Sequence, residues 1–141
     1  AGDEQMNFPQ KKPKKKIPEK KTIMVIPRLN DTLCKKVLME KRPPAGIWGG
    51  LWCFFEVNEL KQIDNLMAKL SLNPCSKLQL AEFRHSFSHF HLDITPVVVD
   101  CQQLNFTEIN EPNPQKWYDL NQQISVGLAA STQKLLTLLS N

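Results

Sequence analysis

An α+β fold, a mixed β-sheet packed with two main helices, is what this sequence predicts, and three observations carry the prediction. Short apolar runs closed by proline, glycine or asparagine recur as strands do. One internal segment has a helical stripe, with Leu60, Ile63, Leu66, Met67 and Leu70 spaced for a single face. A second leucine-rich segment ends the chain. Strands with one helix after the third and another at the end form a layered α+β domain.

Residues 9–21 contain three prolines and little to bury, so they read as an extended basic linker. Residues 1–22 hold seven lysines against Asp3, Glu4 and Glu19, a net of +4, while the rest carries eleven basic and eleven acidic residues. The charge is a tail on a neutral body. The domain proper is expected over 23–141, and Ala1-Gly2 ahead of an acidic stub suits a cloning remnant on an excised fragment. Clustered Lys11, Lys12, Lys14, Lys15 and Lys16 suit a phosphate backbone, where neutralised phosphates release counterions. A solubilising linker is the plainer alternative.

Residues 22–27 (Thr-Ile-Met-Val-Ile-Pro) form the first expected strand, Asn30-Asp31 a turn, and 34–40 its hairpin partner. Arg42-Pro43-Pro44-Ala45-Gly46-Ile47-Trp48-Gly49-Gly50-Leu51-Trp52 then breaks the pattern into a shaped loop. Trp48 there is either a packing anchor or part of a nucleic-acid platform. Residues 51–57 read as one buried strand and 59–70 as a core helix, ended by Asn73-Pro74. A strand is expected over 78–85, and alternation from Phe90 to Ile94, continued by 96–100, gives another. Pro96 argues for an edge or a bulge there. Residues 102–114 are loop, 116–120 a strand, and the last helix spans about 131–139 with Ser131 as N-cap.

Cys34, Cys53, Cys75 and Cys101 stand singly, with no CxxC pair, which argues against a zinc ribbon or iron–sulfur cluster in this chain. Free thiols and the lack of a signal pattern suit a reducing cytoplasm. No apolar run approaches the roughly 20 residues of a membrane span.

The 42–54 loop, Phe83-Arg84-His85-Ser86-Phe87-Ser88-His89-Phe90-His91-Leu92-Asp93-Ile94, and the pair Trp117-Tyr118 with Ser125-Val126-Gly127-Leu128-Ala129-Ala130 together resemble the C-terminal domain of bacterial MutY-type adenine DNA glycosylases. The resemblance covers 8–141, and three separated motifs make it specific. It departs at Ser131, where relatives often have proline. It implies a MutT (Nudix)-like fold and a role in base-excision repair, recognising 8-oxoguanine opposite adenine. Catalysis, and a 4Fe-4S cluster, would then belong to an N-terminal domain that this chain lacks, so no catalytic residue, metal ligand or cofactor is expected here. The expected partners are duplex DNA with 8-oxoguanine:A or G:A mispairs and that N-terminal domain, for a monomer in the bacterial cytoplasm near the nucleoid.

By the same resemblance Ser88 contacts the oxidised base, Phe87 packs or wedges near the lesion strand, and His89 donates to a phosphate or base edge. Arg84, Ser86 and Trp48 complete the DNA-contacting set, although Ser86, like His85 and His91, also reads as structural. The competing expectation is a stand-alone Nudix hydrolase of oxidised nucleoside triphosphates. That chemistry needs clustered oxygen ligands for a pyrophosphate-bound magnesium. Residues 59–70 offer only Glu59 and Asp64.

Overall fold

The computed structural model describes residues 17–30, 35–103, 114–122, 124 and 126–140. Lys11, Lys12, Lys14, Lys15 and Lys16, the Asp31 turn, Cys34 and most of the 102–114 loop lie outside the described residues. The first strand, β1, runs Glu19–Asn30 and so begins inside the expected linker. It is followed by β2 (Lys35–Lys41), β3 (Trp52–Cys53), β4 (Phe55–Val57), α1 (Gln62–Lys69), β5 (Leu72–Gln79), β6 (Phe83–Ser86), β7 (His91–Gln103), β8 (Gln115–Asp119) and α2 (Ala130–Ser140).

β1 is the centre of the mixed sheet. Its register with β7 is parallel from Glu19↔His91 to Leu29↔Cys101. Its other side takes the antiparallel hairpin partner β2 and, further along, β4. β2 in turn pairs with β3 and β8. Because helices cover both faces, β1 is apolar on consecutive residues instead of alternating. Met24 and Ile26 point into a core shared with Leu135 and Leu136 of α2, while Val25 meets Ile63 and Met67 of α1. Each fully buried side chain of this size contributes about 1.5–3 kcal/mol from burial.

The α1 stripe is as expected, with Ile63, Met67 and Leu70 buried, but the helix is shorter than 59–70. Gln62 Oε1 accepts from the Asn58 and Glu59 amides at 2.8 and 3.2 Å, closing the segment ahead of the helix. Ser71 at φ 57 turns the chain away after it.

Five expectations are corrected. The 51–57 run is two strands, because the chain crosses at buried Phe54 from β2 to β1. Asn73-Pro74 does not end a segment. It lies inside β5, where the register shifts between Pro74 and Ser76. The 78–85 strand is the end of β5 and the start of β6, which share β7 as partner. Pro96 sits in a central strand, tolerated because of that division. Its carbonyl accepts from the Leu80 amide at 2.8 Å, so its missing N–H faces the interval between β5 and β6. Ser131 lies inside α2, 1% exposed, its hydroxyl without a hydrogen-bond partner among the described residues, so it is no cap.

Candidate nucleic-acid interface

β6 and β7 form a hairpin with the register Phe83↔Ile94, Arg84↔Asp93, His85↔Leu92 and Ser86↔His91. The Phe87 amide donates to the Phe90 carbonyl at 2.8 Å, leaving Ser88 and His89 as a two-residue exposed tip. Side chains alternate across a strand, so the hairpin presents two faces of different chemistry.

One face is aromatic. Phe87 and Phe90 stack at 4.6 Å with an interplanar angle of 26°. His85 meets Phe87 edge-on at 4.6 Å. Trp48 completes the group, 5.4 Å from Phe87 and 5.6 Å from His85. Ring pairs of this kind contribute roughly 0.5–1.5 kcal/mol beyond their buried area. Trp48 reaches this position from a tight loop. The Gly50 amide donates to the carbonyls of Arg42 and Pro43 at 3.1 and 3.0 Å. A Cβ on Gly49 would lie 2.4 Å from the Pro44 carbonyl oxygen, so only glycine fits. Trp48 itself has φ 56, an unusual backbone for a bulky residue and one that the loop enforces.

The opposite face is polar and clasped. Arg84 Nε and Nη2 bind the two Asp93 oxygens at 2.7 and 3.1 Å, and Glu19 lies 3.5 Å from the same guanidinium. The hydrogen bond from Arg84 holds the Asp93 carboxyl below the usual range against the opposing effect of desolvation. Ser86 Oγ and His91 Nδ1 are 2.8 Å apart. Asp93, on the polar side of the alternation, is only 7% exposed because Arg84 folds over it.

The expected set therefore divides. Ser88, His89, Phe87 and Trp48 gather at the tip and its aromatic support, whereas Arg84 and Ser86 lie on the far face with partners of their own. Two cations escaped sequence reading. Lys20 Nζ lies 4.6 Å over the Phe90 ring and Lys134 Nζ 4.5 Å over the Phe83 ring. Lys20 was counted with the linker, and only the Lys20↔Leu92 register brings it beside the hairpin. Arg42, 5.7 Å over Trp48, is paired with Glu56. Lys134 belongs to a helix that reads from sequence as a docked leucine segment.

On the other side of the sheet the carboxylates around α1 are held in ion pairs. Asp64 meets Lys77 at 2.8 Å and Glu59 meets Lys61 at 3.2 Å. Beside them a cleft of about 450 Å³ is lined by amides, Thr22, Glu56 and Lys69. Among the described residues no three His, Cys, Asp or Glu side chains are grouped to hold a metal ion. No helix among them is long and apolar enough to cross a membrane.

A family model described as NUDIX domain matches residues 29–138. The chain is 34% identical over 136 residues to the adenine DNA glycosylase of Buchnera aphidicola subsp. Schizaphis graminum, a match spanning 93% of this chain and 37% of that protein. It is 30% identical over 132 residues to the adenine DNA glycosylase of Buchnera aphidicola subsp. Acyrthosiphon pisum, across 92% of this chain and 35% of that one. The chain thus spans little more than a third of the relatives it matches. Among solved structures, the C-terminal domain of mouse MUTYH, in complex with human PCNA, superposes with a TM-score of 0.58 at 17% identity, covering 84% of this chain and 86% of that one. The MutT NUDIX hydrolase of Burkholderia pseudomallei gives 0.60 at 13% identity, over 84% and 96%. At those identities the superpositions speak for the fold.

Proposed function

We propose, from the premise that this chain belongs to the NUDIX domain family, that it is the lesion-recognition domain of an adenine DNA glycosylase and reads 8-oxoguanine through the Ser88-His89 tip. The observation that carries the reading is an exposed hydroxyl and imidazole set at the end of a hairpin whose aromatic support holds it from below. Its similarity to adenine DNA glycosylases supplies the context.

Guanine offers N7 and O6 as acceptors in the major groove. Oxidation at the eighth position puts a hydrogen on N7 and a carbonyl oxygen beside it. An acceptor there becomes a donor, and a serine oxygen can accept from it while its own proton donates elsewhere. His89, next to it at the tip, suits donation to a phosphate or base edge. Phe87 keeps the tip at a fixed height and can pack against the lesion strand. Cleavage of the adenine glycosidic bond then falls to an N-terminal domain of the parent protein, the partner that holds the mispaired duplex against this one. An iron–sulfur cluster belongs to that domain on this reading. The cysteines described here do not suit one, since Cys53 and Cys101 are buried apart from exposed Cys75. This domain acts as a monomer in the bacterial cytoplasm.

One good polar base contact is worth roughly 1–3 kcal/mol of discrimination. Ser88→Ala in the full-length parent is expected to narrow the preference for 8-oxoguanine:A over G:A by about tenfold or more, in single-turnover assays, without abolishing adenine removal. Equal preference ratios for variant and wild type reject the reading. The competing hydrolase is disfavoured by the ion-paired Asp64 and Glu59, because magnesium pyrophosphate requires a cluster of free oxygen ligands. Pyrophosphate release from 8-oxo-dGTP with magnesium would revive it.

A further inference from the structure

We infer that Lys20 and Lys134 are phosphate contacts on the aromatic face of the hairpin, Lys20 near its tip and Lys134 at its base, and that they, not Arg84, anchor the DNA backbone there. The inference rests on the reading above and adds to it the residues that seat the duplex.

Register places these groups together. Lys20 pairs with Leu92, so it lies on the same face as Leu92, Phe83 and His85. Glu19 pairs with His91 and shares the opposite face with Asp93 and Arg84. The acids nearest the hairpin are therefore turned away from Lys20. Arg84 is turned away with them, and its charge is already matched by Asp93 and Glu19. Arg42 is matched by Glu56. Lys20 and Lys134 rest on the hairpin's own rings, Phe90 and Phe83, with no ion pair among the described residues, whereas Lys116 lies over Tyr118 away from the hairpin. The 130–140 segment that carries Lys134 contains no acidic residue.

A cation over a phenyl ring keeps its full charge, and the contact holds the flexible stem in place. Part of the rotamer entropy that phosphate binding would remove is already lost. Both ammonium groups can turn further N–H donors outward. A duplex with one charge per about 1.7 Å of axis is the partner this pattern fits, two cations spaced along one face of a hairpin that ends in an exposed polar tip.

The test is fluorescence anisotropy of the 141-residue chain with an 8-oxoguanine:A duplex over a series of salt concentrations. Lys20→Gln and Lys134→Gln are each expected to make the negative slope of log K against log salt shallower by about 0.9, and the double variant by about twice that. Lys61→Gln, beside α1 on the other face of the sheet and paired with Glu59, is expected to leave the slope unchanged. Thermal melts of all variants should superpose, since these side chains are exposed. A wild-type slope in Lys20→Gln and Lys134→Gln overturns the inference, as does an equal drop in Lys61→Gln or no binding by the wild-type chain at low salt. The Ser88→Ala preference assay in the parent is independent of it: a narrowed preference with unchanged lysine slopes removes this inference and leaves the lesion reading intact.

Discussion

The two faces of the β6–β7 hairpin are built from alternate residues of the same few positions, yet they are stabilised by different physics. Phe83, His85 and Phe87 bury ring area against Trp48, Phe90 and the α2-side core. Arg84 and Ser86 instead form polar clasps to Asp93 and His91. The phenyl and indole contacts carry no titrating charge, and they can yield a surface that a base or sugar approaches. The polar clasps use up their own charges. A hairpin fastened in both ways can hold Ser88 and His89 in water without letting them wander, which is what a contact worth only one hydrogen bond requires.

The difference can be broken first on its aromatic side. Trp48→Ala removes both ring contacts and leaves a half-filled space, so a loss of about 2–3 kcal/mol is expected by urea unfolding. On the proposed reading, the Ser88-dependent preference of the full-length parent should fall with it. A stable variant with full preference would mean that the platform does not hold the tip. Gly49→Ala leaves every ring in place but drives a Cβ into the Pro44 carbonyl, and about 1–3 kcal/mol is expected to be lost. If Trp48 fluorescence is unchanged in that variant, the loop does not position the ring.

The polar side is addressed by pH. Asp93 titrates below its ordinary value because Arg84 binds the charged form, so the clasp contributes in full above about pH 4. Its contribution drains away as pH falls through the lowered value. Asp93→Asn should therefore show a shallower loss of melting temperature below about pH 4 than wild type, starting from a lower value at neutral pH. Superposable acid limbs would show that the clasp is idle. The Arg28–Asp100 pair lowers Asp100 in the same way and is common to both proteins, so it cancels in the comparison. The smallest effect on stability belongs to Ser88→Ala, within about 0.5 kcal/mol, because the tip is exposed. A larger loss would recast Ser88 as a structural turn residue.

Much of this arrangement was legible beforehand where local pattern carries it. The α1 stripe, the hairpin partner β2 and the alternation ahead of β7 follow from side-chain periodicity, which is a property of neighbours in the chain. The misreadings share one cause. Residues 51–57 look like one strand, and 73–74 look like a stop, because sequence does not record which strand each backbone edge will face. Phe54 switches partners, and Pro96 finds a gap that only the division between β5 and β6 supplies. The pairing of Arg84 was hidden in the same way: its sign was visible, but its matching acids at Asp93 and Glu19 were not.

Alternation and composition settled that a Ser-His turn would interrupt two strands and that a lysine-rich stretch would precede a neutral body, since both are decided within a few residues. Tertiary structure alone decided that β1 lies parallel to β7, that Lys20 and not Arg84 ends up on the aromatic side, and that Trp48 props the turn. Those choices pair residues tens of positions apart. They are made by burying both faces of a central strand at once, a condition no local stretch of chain can express.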